Sequence, residues 1–235
     1  MYSLIKLRFP QRHTPVNGDE ARELSAKALH GQDAEALMYG EKEGMPLVRF
    51  IGGRNGMSLL GITERGCEVA GSSAAKIAVS LCQMWGAPVL IESLQTGVCS
   101  ARPIPYKRRY IIRRLVHQKK PRHPRQPSPD RIRDLIVRSL LRQAAALNLT
   151  VPDNIDVCVR GFAEGSPVPI AGGAYAASVR DVVFDASIDL GGWWGFGYLQ
   201  SRGYGALNAD MPITIATEKI LRARTDTKEL VDVGI

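Results

Sequence analysis

The sequence predicts an α+β protein made of ferredoxin-like units, two of them in tandem, and three observations carry that prediction. Residues 1–98 alternate strand and helix patterns in the order βαββαβ, which is the ferredoxin-like unit. Residues 101–235 hold enough strand signal for a second βαββ-type unit. At 235 residues, with 45% hydrophobic and 23% charged side chains, the chain can bury a core and hold one or two domains. The expected division is an N-terminal domain over 1–98 and a C-terminal domain over 99–235. The second would carry a basic helical insertion at about 102–147 and a glycine-rich loop at 191–207.

The elements follow in order. Tyr2–Phe9 is a strand, with Ile5, Leu7 and Phe9 on one face and Lys6 and Arg8 on the other. Gly18–His30 reads as a helix, with acids in its first turn, strong helix formers inside and Gly31 as a stop. Residues 32–46 give no clear pattern. Leu47–Ile51 and Met57–Ile62 are short strands joined by the turn GGRNG, a hairpin signal. Ser72–Met84 is a second helix and Pro88–Leu94 a closing strand. Beyond them, IPYKRRYIIRRLVHQ fits either a strand or a helix. KKPRHPRQPSP is too proline-rich for a helix or a central strand and reads as an extended loop. Ser128 and Pro129 then open a helix as N-cap and first-turn proline. Ile155–Arg160 and Ser178–Leu190 are strands, and Ile213–Leu221 is a last strand or helix.

No apolar run approaches the roughly 18 residues needed to span a bilayer. The N-terminus MYSLIKLRFP is too short in its apolar part for a signal peptide, so a cytoplasmic protein is expected. Cys67, Cys82, Cys99 and Cys158 lack zinc or disulfide-framework spacing and are expected as buried or half-buried thiols. Asp181, Asp185 and Asp189 lie on one strand face, each about 13 Å from the next at strand rise. That is too far for shared metal coordination, so a solvated face is expected, with no metal and no cofactor.

Net charge is +8, and its distribution says more than its total. Between Arg102 and Arg142 stand 14 Lys/Arg against two acids, a local net of +12, while the rest of the chain is net acidic. Such a segment favours a polyanionic partner. Its bases comprise Arg108, Arg109, Arg113 and Arg114 in the apolar run, and Lys119, Lys120, Arg122 and Arg125 in the loop. On the following helix Arg131, Arg138 and Arg142 fall within about 20° of one line, opposite Ile136, Leu140 and Leu147. That stripe matches the reach of successive phosphates. The alternative is a solvated charged face.

The glycine-rich stretch GGWWGFGYLQSRGYGALN contains Gly195-x-Gly197 and Gly203-x-Gly205, with Ser201 and Arg202 before the second pair. Glycines admit close backbone approach to a phosphate, and their N–H groups can form an anion-binding nest. A tight hairpin packed on Trp193 and Trp194 is the other reading. A dinucleotide fingerprint does not fit, since no βαβ unit with a ribose-binding acid follows.

GFGYLQSRGYGAL resembles the C-terminal glycine-rich loop of the repeat-associated mysterious protein superfamily of CRISPR systems. The arginine-rich segment resembles that of its type IV guide-RNA processing endoribonucleases. The resemblance is sharp over Gly192–Leu207 and follows elsewhere in the order of elements. It implies metal-independent RNA cleavage, in which the 2′-hydroxyl beside the scissile phosphate attacks in line and leaves a 2′,3′-cyclic phosphate. It also implies a CRISPR repeat RNA hairpin as ligand, whose stem is retained, and other subunits of a type IV-like effector complex as partners. The superfamily often places a histidine in or just after the first helix, which makes His30 the first catalytic candidate and His13 the second. His30 could equally complement its helix dipole. Arg22 and Lys27 lie on the same helix and would supply charge, and where arginine replaces histidine Arg22 becomes the key residue. Tyr106, Tyr110, Tyr198 and Tyr204 are candidates for base stacking. Readings left open beside this one are a non-cutting subunit that holds the guide 5′ handle, a general structured-RNA-binding module, and an enzyme acting on a small phosphate metabolite.

Overall fold

The computed structural model describes residues 1–210 except 43, 120–125 and 153. The expected Ile213–Leu221 element lies outside the described residues, as do Lys120, Arg122 and Arg125.

Strand β1 (Tyr2–Arg8) leads to helix α1 (Gly18–Ala28) and helix α2 (Gly31–Tyr39). Two short pieces, β2 (Glu41–Lys42) and β3 (Met45–Pro46), pair as a ribbon, followed by β4 (Val48–Gly53) and β5 (Gly56–Ile62). Helix α3 (Glu64–Trp85) and β6 (Leu90–Gly97) complete the first half. The sheet order is β4-β5-β1-β6, with every neighbouring pair antiparallel. Ile5, Leu7 and Phe9 face the helices and join a core with Phe50, Leu59, Ile77 and Leu81.

Two helices differ from expectation for local reasons. The predicted Gly18–His30 helix ends at Ala28: Leu29 turns extended and buries its side chain, and His30 becomes the N-cap of α2. The second predicted helix starts eight residues early, because the Thr63 Oγ1 caps the Gly66 N–H at 3.2 Å. A Cβ at Gly66 would collide with the Leu47 carbonyl oxygen, so close strand–helix packing selects the glycine.

The second half opens on β7 (Ser100–Gln118), then α4 (Pro129–Ala146), β8 (Val157–Glu164), β9 (Val168–Pro169), β10 (Tyr175–Gly191), β11 (Trp193–Gly195) and β12 (Ala206–Asn208). Its sheet order is β7-β10-β8, antiparallel throughout, with β9 on β10 and β11 paired to β12. The basic run left open as strand or helix is therefore a 19-residue strand. The segment expected as a helical insertion is integral instead: Ile132, Leu135, Ile136 and Leu140 of α4 sit in the second core with Phe184, Ile188 and Trp194. The expected inner face of β10 is in place, with Val182, Phe184, Ala186, Ile188 and Leu190 all in the second core.

A smaller cluster joins the halves: Leu60 and Ile62 from the far face of the first sheet meet Ala146 of α4, with Leu4 and Trp193 packed alongside. Cys82, expected buried or half-buried, is exposed. Among the described residues no helix is long and apolar enough to cross a membrane.

Candidate functional site

The glycine-rich stretch lies where the two halves meet, and the polar side chains around it fix its course. Helix α4 turns Ser139 and Gln143 inward, although both would ordinarily face water. The Gly197 N–H donates to Ser139 Oγ at 3.0 Å and the Gly195 N–H to Gln143 Oε1 at 2.9 Å. The Gln143 amide donates in turn to the Trp193 carbonyl at 2.7 Å. The Gly203 and Gly205 N–H groups bond the carbonyls of Gln200 and Arg114 at 2.9 and 2.6 Å. All four glycine N–H groups expected to cradle a phosphate are thus satisfied inside the protein. Added side chains at Gly197, Gly203 and Gly205 would meet the carbonyl oxygens of Val116, Phe50 and Phe196. The glycines serve close packing, and the anion-nest reading is corrected accordingly.

At Gly195 the reason for glycine is a guanidinium. Arg49, on β4, is fully buried, and a Cβ at Gly195 would collide with its guanidinium. Arg49 Nη2 donates to Gln143 Oε1 at 2.8 Å and to Gln200 Oε1 at 3.1 Å. Among the described residues its Nε and Nη1 have no hydrogen-bond partner. Burial pushes its pKa down to about 10, opposed by Cys99 and assisted by the Arg142 charge. One buried cation thereby ties a strand of the first half to α4 and to the turn at Gln200–Arg202. Sequence reasoning missed it, because an arginine in VRFIGG looks like the solvent-facing member of an alternating strand.

In front of this lock opens a cleft of about 430 Å³, lined by residues remote in sequence. Arg22 comes from α1, Tyr39 and Glu41 from the end of α2 and the start of β2, Lys119 from just beyond β7, Arg142 from α4, and Gly197–Arg202 from the glycine-rich stretch. Arg22 lies across the Tyr39 ring, 5.6 Å from its centroid, and donates to the Met38 carbonyl at 3.4 Å. Its Nε is buried without a hydrogen-bond partner among the described residues. An arginine held in place at the border of a cleft is suited to stabilising charge that develops on a bound phosphate. Arg202 is committed inward, ion-paired with Asp19 at 3.1 Å and donating to the Pro169 carbonyl at 2.9 Å. It anchors the glycine-rich turn to the start of α1 and still borders the cleft.

The cleft therefore brings together Arg22, Lys119, Arg142, Gly197, Ser201 and Arg202 from the residues expected to act. It does not bring in His13 or His30, which are both exposed and line no part of it. Lys27 is paired with Glu23 at 2.7 Å on the outside of α1. Arg131 and Arg138 are exposed along α4, and with Arg142 they form a row of about 16 Å ending at the cleft. His117, half-buried at the end of β7, is pushed down in pKa by burial and by the neighbouring Arg131.

The arginines of β7 behave differently. Arg109 donates to Asp185 at 2.8 Å, and Arg160 reaches the same carboxylate at 2.7 Å. Arg108 pairs with Asp189, and Arg113 with Asp181 at 3.3 Å. Arg114 lies 4.7 Å over the Tyr204 ring. The three aspartates expected on a solvated face are thus the counter-ions of the basic strand, and Asp185 is only 6% exposed. Burial raises the Asp185 pKa, but its bonds from Arg109 and Arg160 outweigh that and leave it lowered.

The fold and site define a small α+β protein with a cation-rich cleft between its two halves, an electrostatic setting that favours anionic ligands. The family follows from the sequence as a whole: residues 1–212 match the model of the type IV CRISPR-associated endonuclease Csf5, and the chain belongs to that family. Among solved structures, one of Csf5, a CRISPR-Cas type IV Cas6 crRNA endonuclease, aligns at a TM-score of 0.65 and 21% identity over 89% of this chain and 99% of that one. A crystal structure of Cas6b aligns at 0.62 and 14% identity over 88% and 98%. A CRISPR RNA processing endoribonuclease, also Cas6b, aligns at 0.58 and 14% over the same shares. At these identities the likeness is one of fold, a mixed α+β architecture shared with Cas6 structures. No curated protein matches the sequence.

Proposed function

We propose that this endonuclease cuts CRISPR precursor RNA within its repeat, in the cytoplasm, by attack of a 2′-hydroxyl on the adjacent phosphorus: the new O2′–P bond replaces the P–O5′ bond, the 2′-hydroxyl gives up its proton and the departing 5′-oxygen takes one up, leaving a 2′,3′-cyclic phosphate and a 5′-hydroxyl. The observation that carries the reading is the convergence of Arg22, Lys119 and Arg142 in one cleft. In this mechanism the Arg22 guanidinium, which borders the cleft, stabilises the extra negative charge on phosphorus, and Lys119 and Arg142 hold the flanking phosphates. The Arg131–Arg138–Arg142 row follows the backbone of the repeat stem, reading shape and phosphate rather than base edges. Nothing in this chemistry requires a metal ion. The stem product stays bound and enters a type IV-like effector complex with other subunits.

We read the chain as two ferredoxin-like domains, 1–98 and 99–235. The order β7-β10-β8 with α4 between β7 and β8 supports a second, βαββ-type unit.

The test is a denaturing-gel assay in EDTA, with repeat RNA from the protein's own locus beside a copy carrying one 2′-deoxy nucleotide at the cut site. The expected result is cleavage of the first only. Binding without cleavage of either RNA would overturn the nuclease reading.

A further inference from the structure

We propose that Tyr39 and Tyr198 are stacking platforms which select unpaired nucleotides beside the scissile phosphate, an inference that rests on RNA occupying the cleft as proposed above. The structure sorts the tyrosines sharply. Tyr110 is buried, its hydroxyl donating to the Ile188 carbonyl at 2.8 Å. Tyr204 is buried and donates to Asp19 at 3.1 Å. Both are held by the fold and offer no ring face to a ligand. Tyr106 is exposed but lines no part of the cleft. Tyr198, 39% exposed, does line it, and so does Tyr39, which is 73% exposed and which no pattern in residues 32–46 singled out.

Isolated exposed tyrosines need no explanation. Two in one cationic cleft, each on a fixed backbone, do. Tyr39 closes α2 and sits against the Arg22 guanidinium, 5.6 Å from its ring centroid. The Tyr198 N–H is bonded to the Val116 carbonyl at 3.0 Å, which pins its backbone to the edge of β7. A tyrosine has only two side-chain torsions to fix, so from a settled backbone it meets a nucleobase at small entropic cost. Arginine and lysine beside them take the phosphates, the combination that single-strand binding sites use. A base within a duplex already stacks on its neighbours and cannot offer a face to a tyrosine. The cleft would therefore accept the unpaired nucleotides at the foot of a hairpin while the α4 arginine row holds the stem. At about 430 Å³ it is the size of a small-ligand site, too small to admit a duplex.

The experiment uses the full chain and a hairpin RNA made uncleavable by a 2′-deoxy nucleotide at the cut site. 2-Aminopurine is placed singly at each unpaired position flanking the stem, and its fluorescence is titrated with protein. Wild type should quench one or two positions, and Tyr39→Ala or Tyr198→Ala should abolish the quench at one of them. Affinity for the flanked hairpin should fall about 5- to 100-fold in each alanine variant. Tyr39→Phe and Tyr198→Phe should keep both signals, and affinity for a blunt stem without flanks should not move. Quenching at no position, quenching unchanged in both alanine variants, or an equal loss of affinity for the blunt stem would each overturn the proposal. An all-ribose hairpin assayed in parallel tests cutting separately: quenching without cleavage would remove the nuclease reading and leave the stacking intact.

Discussion

Two regions of this molecule carry the same kind of charge and use it differently. Along β7 the arginines are matched across the ladder by Asp181, Asp185 and Asp189, so that the densest basic run in the sequence is largely self-neutralised. At the cleft Arg22, Lys119 and Arg142 have no ion-pair partner among the described residues, although they come from segments of no special charge density or from the ends of one. A count of cations along a chain is therefore a poor map of potential on a surface. What matters is where the carboxylates lie after folding, and here they lie 68 to 81 residues further on.

The strongest way to break this comparison is to remove one arginine from each region. Arg22→Ala should slow cleavage of repeat RNA about 100- to 1,000-fold, the usual effect of deleting one donor to a developing oxyanion. RNA affinity should change by less than about threefold, because one phosphate contact is a small share of the whole. Arg109→Ala should leave cleavage essentially unchanged. Single-turnover rates and filter-binding affinities on the two variants decide it, and equal losses of rate would erase the distinction.

Asp185→Asn asks what the ladder is for. Its carboxylate accepts from two guanidiniums and is nearly buried, so its loss should reduce stability by about 1.5–3 kcal/mol. The sign with pH follows from the lowered pKa. A carboxylate held below its unfolded value of about 3.9 stabilises the fold above that pH, and the contribution disappears as pH falls through the folded value. Urea midpoints should therefore differ between wild type and Asp185→Asn at pH 7 and converge below about pH 4.

Legibility in the sequence followed the same division. Strand β1, the GGRNG hairpin, the Ser128–Pro129 helix start and the inner face of β10 were readable, because each is a local pattern with a local cause. The arginine–aspartate ladder was not, since each partner belongs to a different strand. Nor was Arg49, whose burial depends on α4 and the glycine-rich turn arriving from 94 and 151 residues away. Tyr39 was hidden for a third reason: α2 is short and weakly amphipathic, and its significance comes from Arg22, 17 residues earlier on another helix. Of the cleft, the sequence disclosed several cations but neither their convergence nor the lock behind it.

That lock gives a smaller and more selective effect. Burial depresses the Arg49 pKa, so at neutral pH its charge opposes folding. Arg49→Met removes that cost and keeps apolar volume, but it loses two hydrogen bonds and leaves Gln200 Oε1 without its donor. The opposing effects nearly cancel, so the melting temperature should stay within about 5 °C. Cleavage should still slow about tenfold, because Gln200 no longer holds the turn that borders the cleft. A Tm loss in proportion to the loss of rate would reduce Arg49 to a core residue; slow cleavage at unchanged Tm makes it a positioning residue.

The smallest expected effect tests the choice of site itself. Imidazole is the group best suited to proton transfer near neutral pH, and His13 and His30 stand close to the first helix, where a catalytic histidine was expected. Both are exposed, and neither lines the cleft. A general acid or base must come within hydrogen-bond reach of the proton it moves, directly or through one water. Neither histidine borders the space in which Arg22, Lys119 and Arg142 would hold the reacting phosphate. His13→Ala and His30→Ala should therefore each cleave within about twofold of wild type, with unchanged pH–rate profiles. A drop of more than tenfold in His30→Ala, with a changed pH–rate profile, would move the chemistry to the junction of α1 and α2. The cationic cleft would then be where RNA is held rather than where it is cut.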